Sequence, residues 1–164
     1  MPVIVVGADT PVGAAIIDAL VEPDREVRAF VTSPERAGEL RRKGVKVATG
    51  DVSDVSHVEA ASLNCFSAVL IADAAGDERD RSFAPTPEAV LEGWAVAVGR
   101  VRRVIWVGID APPATGVDEV AVVPGGPAPD ATALRVAELD GLDTEGFRRA
   151  VSGGNRPRSG GLGS

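Results

Sequence analysis

The sequence predicts an α/β domain with a doubly wound, mostly parallel sheet and helices on both faces. Three observations carry this expectation. Short apolar runs alternate with helix-length amphipathic stretches. The runs lack the in–out alternation of a half-solvated strand, so both faces of the sheet must be buried. The first run also ends in a glycine turn that opens directly into a helix.

Val3–Val6 is the first strand, ending at Gly7. Residues 11–21 form a helix whose apolar face is Ile16, Ile17, Leu20 and Val21. Residues 26–31 are the second strand. Ser33 can cap the next helix with Pro34 at its first position, and Gly44 suits its end. Residues 45–48 are the third strand. A helix opened by Ser53 and Asp54 runs to Leu63, and residues 68–72 are the fourth strand. Residues 87–99 form a longer helix and residues 104–109 the fifth strand. The expected order is 3-2-1 followed by 4 and 5, with right-handed crossovers.

Beyond Asp110 the pattern weakens, and the C-terminal part reads as truncated. Glu119–Val123 is a short sixth strand. The Pro/Gly-rich connection before it is short for a parallel crossover, which normally takes about a dozen residues or more. An antiparallel strand, or one lying elsewhere, is expected. Residues 130–139 read as a helix capped by Asp130, and residues 143–151 as another. Residues 1–151 are then one domain, and the Gly-, Ser- and Arg-containing residues 152–164 a flexible tail.

The chain has 164 residues, enough for one hydrophobic core. Its net charge of -7 argues against a nucleic-acid partner, which needs a basic face. The basic spots at Arg41, Arg42 and Lys43, and at Arg100, Arg102 and Arg103, read as solvated helix ends. Cys65 is the single cysteine, so no intrachain disulfide can form, and Cys65 reads as a small buried hydrophobe. No stretch approaches the ~20 apolar residues of a membrane span. The expectation is a cytoplasmic protein without a membrane partner. One histidine, His57, and one cysteine make a zinc site of ordinary ligation improbable. The run from Asp77 to Asp80 reads as a solvated loop, and Trp94 and Trp106 as core or interface anchors.

The first turn reads Gly7-Ala8-Asp9-Thr10-Pro11-Val12-Gly13. Gly7 permits a sharp exit from the strand, and Gly13 permits close packing of the helix on the sheet. The helix start presents N–H groups and a partial positive charge, for which a pyrophosphate is the natural guest.

From Pro2 to Asp110 the chain resembles the atypical short-chain dehydrogenase/reductase group, in particular its NmrA-like, NAD(P)H-binding members with a Rossmann-like fold. Gly7, Ala8, Val12 and Gly13 match the group's GATGxxG turn, whereas Thr10 stands in place of the middle glycine. A side chain there is expected to face the pyrophosphate space, and Pro11 removes one N–H donor. The stretch from Val27 to Ala37 resembles VRALVRxPEKA, with Thr32 where the group has the Arg that pairs with the 2′-phosphate of NADP. Ser33, Thr32 and Arg36 leave a slight lean to NADP over NAD. The stretch from Gly44 to Asp54 resembles GVEVVxGDxxD, which implies Asp51 and Val52 beside the adenine. Small residues after the fourth strand, among them Ala74, imply close approach to the ribose. The cofactor-binding residues implied are thus Gly7, Asp9, Thr10, Pro11, Val12, Gly13, Thr32, Ser33, Arg36, Asp51, Val52 and Ala74.

The group's reductases use a Tyr-x-x-x-Lys pair, in which the Lys cation lowers the phenol pKa. This sequence has no Tyr, its lysines are Lys43 and Lys46, and Gly108 stands where the group's Ser follows the fifth strand. The expected function is a non-catalytic dinucleotide sensor or regulatory protein. An oxidoreductase with atypical residues and a ligand-free scaffold stand as alternatives. A reduced C-terminal part implies exposed apolar surface, and so a homodimer or a protein partner.

Overall fold

The computed structural model describes residues 1–154. Its strands are β1 (Val3–Val6), β2 (Val27–Val31), β3 (Lys46–Thr49), β4 (Ser67–Ile71), β5 (Arg103–Val107) and β6 (Glu119–Val123). Its helices are α1 (Pro11–Leu20), α2 (Pro34–Arg42), α3 (Val55–Ser62), α4 (Asp73–Gly76), α5 (Pro87–Ala97), α6 (Pro129–Gly141) and α7 (Thr144–Gly154). The strands form one six-stranded sheet in the order β3-β2-β1-β4-β5-β6. Every neighbouring pair is parallel.

The continuous apolar strands have the cause expected of them. Val3, Val5, Val69, Ile71, Ile105 and Val107 face one core. Ile4, Val6, Ala68, Leu70, Val104 and Trp106 face the other. The first core is closed by Ile16, Ile17 and Leu20 of α1, Leu40 of α2, Val136 and Leu139 of α6, and Phe147 of α7. The second is closed by Val58 of α3 and by Val90 and Trp94 of α5. Each fully buried aliphatic side chain contributes roughly 1.5–3 kcal/mol. Trp94 meets its polar requirement by donating Nε1–H to the Val52 carbonyl at 2.7 Å.

Strand order reverses between β1 and β4, which opens a crevice beyond the C-terminal ends of these strands. The turn after β1 opens into that crevice, so the topology alone selects the site's location.

The sixth strand corrects the antiparallel or detached placement expected for it. β6 pairs parallel with β5, with Arg103 opposite Glu119. The connection, residues 108–118, contains no helix. Pro112 and Pro113 lack N–H donors and favour extended backbone. An extended chain covers about 3.3–3.6 Å per residue, so this segment is long enough to run back along a five-residue strand without a helix. Ile109 and Val117 at its two ends pack on the second core.

The C-terminal helices also differ from expectation. α6 starts at Pro129 with no side-chain cap, and Asp130 lies in its first turn, where a negative charge is favourable. α7 reaches Gly154, and residues 155–164 of the expected tail lie outside the described residues.

Arg103 is not a solvated basic residue, because its side chain is 0% exposed. Its Nη2 donates to Glu119 Oε1 at 2.8 Å, and its Nη1 donates to the Leu139 and Asp140 carbonyls at 3.0 and 2.9 Å. Those carbonyls belong to the last turn of α6, whose acceptors have no intrahelical partner. The Phe147 ring stacks on the guanidinium at 4.3 Å. Ser67 donates to Asp140 at 2.6 Å, and Arg25 pairs with the same carboxylate. This buried network fastens α6 and α7 to the N-terminal edge of the sheet.

Candidate functional site

The turn between β1 and α1 is built around three residues. Gly7 has φ +91°, which a side chain rarely adopts, and a Cβ on it would lie 2.8 Å from that of Ala74. A Cβ on Gly13 would lie 2.7 Å from Ala8 Cα and 2.8 Å from Thr10 Oγ1, and would collide with the Gly7 carbonyl. Thr10 corrects its expected orientation. Its hydroxyl donates to the Gly7 carbonyl at 2.7 Å and accepts from the Gly13 N–H at 3.0 Å. It is the buried N-cap of α1, turned into the loop rather than towards the crevice. Two amides that a phosphate would use are therefore already engaged, those of Gly13 and of Thr10, whose N–H reaches the Gly7 carbonyl at 3.2 Å. Pro11 has none, and Val12 lies half-buried beside it.

Asp9 leaves this turn in the direction of β2. Its Oδ2 accepts from the Thr32 and Ser33 N–H groups at 2.9 and 3.2 Å. Its Oδ1 meets Arg79 Nη1 at 2.8 Å, and the Asp9 side chain is only 4% exposed. Arg79, 10% exposed, also donates to Thr32 Oγ1 at 3.3 Å and grips Asp77 with Nε and Nη2, both at 2.8 Å. Burial works against charge on Asp77, but the bonds from Arg79 and Arg81 outweigh it and hold its carboxyl below the usual range. Burial likewise opposes charge on Arg79, while Asp77 and Asp9 hold its proton more firmly than usual. An open cavity of about 410 Å³ remains here, lined by Asp9, Thr32, Ser33, Asp77, Glu78 and Arg79.

Asp51 lies at the far side of the crevice, after β3. Its Oδ1 accepts from the Ser53 N–H at 2.8 Å and from the Ser53 hydroxyl at 2.5 Å, and its Oδ2 accepts from the Ser82 N–H at 2.7 Å. Burial raises its pKa, yet these bonds more than offset that and leave it lowered. Ser53 Oγ accepts from the Phe83 N–H at 3.0 Å. Residues 77–83 therefore form a strap fastened to Asp9 at one end and to Asp51 and Ser53 at the other. Of the solvated loop expected over residues 77–80, Glu78 and Asp80 are exposed, whereas Asp77 and Arg79 are half-buried and paired.

The remaining sequence candidates divide. Ser33 caps α2 by accepting from the Arg36 N–H at 3.3 Å. The Arg36 side chain is 57% exposed and pairs with Glu39. Val52 is fully buried with its carbonyl held by Trp94, and Ala74 packs beneath Gly7. Gly108 has φ +81°, and Asp73 Oδ1 lies 3.3 Å from where its Cβ would be. His57 is half-buried, edge-on to Phe30 at 4.9 Å. Sequence reading missed Arg79, Asp77, Ser53 and Ser82. The alternation Asp77, Arg79, Arg81 after a strand is the only hint the sequence offered of a loop folded on its own charges.

A family model described as NAD(P)H-binding matches residues 7–118, more than half of the chain. The chain belongs to this NAD(P)H-binding family. No curated protein matches it. Among solved structures, the Citrobacter sp. triphenylmethane reductase complexed with NADP(H) is 19% identical with a TM-score of 0.55, over 84% of this chain and 46% of that one. The NADPH-dependent quinone oxidoreductase of Escherichia coli complexed with NADPH is 18% identical with a TM-score of 0.54, over 65% and 36%. Serine dehydrogenase from Escherichia coli is 18% identical with a TM-score of 0.62, over 88% and 93%. At these identities the likeness concerns the fold. The chain spans half or less of the length of the reductases it matches.

The turn of this NAD(P)H-binding domain fits the group its family takes. Side chains are excluded at Gly7 by Ala74 and Ile71 and at Gly13 by the turn itself, which lets α1 start directly above the end of β1, where its dipole favours an anion. The cavity beside Asp9 and Thr32 lies where the adenosine ribose meets β2 in such folds. On the side where the resemblance implies the adenine, both Asp51 oxygens already serve Ser53 and Ser82.

Proposed function

We propose that this chain binds a nicotinamide dinucleotide in the crevice above Gly7–Gly13 and acts as a sensor or regulatory protein rather than as a reductase. One observation carries the reading: a family-matched dinucleotide turn sits in a chain that contains no Tyr. The helix-free connection of residues 108–118 supports it, since the resemblance to the short-chain dehydrogenase/reductase group implies a helix there to carry the Tyr-x-x-x-Lys pair. The residues that would hold the ligand are Gly7, Asp9, Val12 and Gly13 at the turn, Thr32 and Ser33 at the ribose, and Asp51 at the adenine, with the buried Val52 and Ala74 supporting them from beneath. When bound, the dinucleotide supplies a redox state to be read. Isothermal titration with NAD, NADH, NADP and NADPH tests the reading. Heat from at least one of them, with flat cofactor absorbance when quinone or triphenylmethane-dye acceptors are added, is expected. Turnover of such an acceptor would instead assign an oxidoreductase with atypical residues.

A second reading, a ligand-free scaffold, is favoured by the strap and by the engaged amides of Thr10 and Gly13. It predicts no heat with any of the four. In either case the sensor or scaffold is expected to act in the cytoplasm as a homodimer or with a protein partner. β6 is the outer strand of the sheet, and Val122 on it and Leu134 on α6 are exposed. A monomer in sedimentation at roughly tens of micromolar would count against self-association.

A further inference from the structure

We infer that Asp9 sets cofactor choice in this domain and selects NAD(H) against NADP(H). The inference rests on the dinucleotide reading above and names its specificity residue. In Rossmann-type folds that take NAD, an acid at the end of the second strand accepts from the adenosine ribose hydroxyls, and an Arg there takes the 2′-phosphate of NADP. Thr32, at that place in the sequence, is neither. The structure brings a carboxylate there by another route. Asp9 reaches across from the β1 turn and seats its Oδ2 on the Thr32 and Ser33 amides, directly after β2.

Three consequences follow from that placement. The two amides at the start of α2 that could hold a phosphate already hold a carboxylate. The cavity is lined by three carboxylates, on Asp9, Asp77 and Glu78, against one guanidinium, on Arg79. A 2′-phosphate brings a further charge of about −1.5 to −2 into this negative surround, whereas the ribose diol of NAD brings two O–H donors. Four of the five guanidinium N–H groups are already engaged, Nε and one of Nη2 on Asp77 and the two of Nη1 on Asp9 and Thr32. Arg81 is likewise paired with Asp77, and Arg36 is exposed and paired with Glu39. The inference runs against the slight lean to NADP drawn from Thr32, Ser33 and Arg36. Asp9 Oδ1 is the acceptor for the diol, and Arg79 holds that carboxylate in place.

The test is calorimetric titration of the whole chain with NADH and NADPH, then of Asp9→Asn and Asp77→Asn. Wild type is expected to bind NADH at least tenfold more tightly than NADPH. Asp9→Asn keeps an acceptor for the two amides but removes the charge, and should narrow that ratio tenfold or more, mainly by strengthening NADPH. Asp77→Asn leaves the amides untouched and should narrow it less. Equal affinities in wild type, or tighter NADPH, overturn the inference while the dinucleotide reading stands. A ratio unchanged in Asp9→Asn overturns the role of Asp9. Should that variant not fold, the wild-type ratio and Asp77→Asn decide. Failure of both dinucleotides to bind wild type removes the dinucleotide reading, and this inference with it.

Discussion

Glu119→Ala strips the buried Arg103 guanidinium of its counter-charge without touching the crevice. Arg103 is 0% exposed and Glu119 0%, so no water replaces the lost carboxylate. Breaking a buried pair from one side costs about 3–5 kcal/mol. The second arm, from Arg102, adds little, because Arg102 is 50% exposed and screened. In a domain of this size each kcal/mol moves Tm by roughly 2–4 °C, so a fall of about 6–20 °C is expected. Urea unfolding at unchanged slope reports the same loss as a shifted midpoint. The loss also has a pH signature. Burial pushes the Glu119 carboxyl up, but hydrogen bonds from Arg103 and Arg102 outweigh that and hold it below its usual value. A depressed carboxylate contributes stability above its unfolded pKa and loses it as pH falls through its folded one. The gap between wild type and Glu119→Ala should therefore close on acidification below the usual carboxylate range. Arg103→Met with Glu119→Leu removes both charges and should cost less than Glu119→Ala alone, though the Leu139 and Asp140 carbonyls then lose their donor. A Glu119→Ala loss below about 1 kcal/mol, the size of an exposed pair, would refute the argument. So would a double variant as unstable as the sum of its parts.

Other outcomes are expected at the turn and the strap. Gly13→Ala forces a Cβ against the Gly7 carbonyl and Ala8, and should cost about 1–3 kcal/mol by overpacking; a melting point equal to wild type would show the turn to be slack. Thr10→Ala removes the α1 cap and should cost about 1 kcal/mol in urea unfolding, while the freed Gly13 N–H should leave dinucleotide affinity by titration equal to or tighter than wild type. Ser53→Ala removes a donor to Asp51 and the acceptor for Phe83, so limited trypsin digestion should cut after Arg79 or Arg81 faster than in wild type. Equal cleavage rates would mean that the strap is held elsewhere.

Much of the fold was legible because its causes are local or periodic. The apolar strands, the Ser33–Pro34 helix start and the Gly44 stop each carry their reason within a few residues. β6 was misjudged because the length of its connection was read against helical crossovers, and a proline-held extended segment needs fewer residues. The site was legible only where backbone geometry demands glycine, at Gly7 and Gly13. Thr10 was misjudged since an N-cap and an intruding side chain have the same sequence, and only backbone direction separates them. Asp9 and Asp51 were legible as residues through the resemblance, but what they bind, Arg79 included, was opaque in a different way. Their partners lie in other segments, as in the Asp9–Arg79 pair, and no spacing rule joins them.

The sequence by itself determined a doubly wound sheet and a glycine turn at its switch point, through apolar periodicity and the steric permissiveness of Gly7 and Gly13. Tertiary structure decided where the charges went. It buried Arg103 against Glu119, tied residues 77–83 to Asp9 and Asp51 and carried the Asp9 carboxylate to the end of β2. The physical reason is that burial and ion pairing depend on distances between segments far apart in the chain, and the folded sheet is what sets those distances.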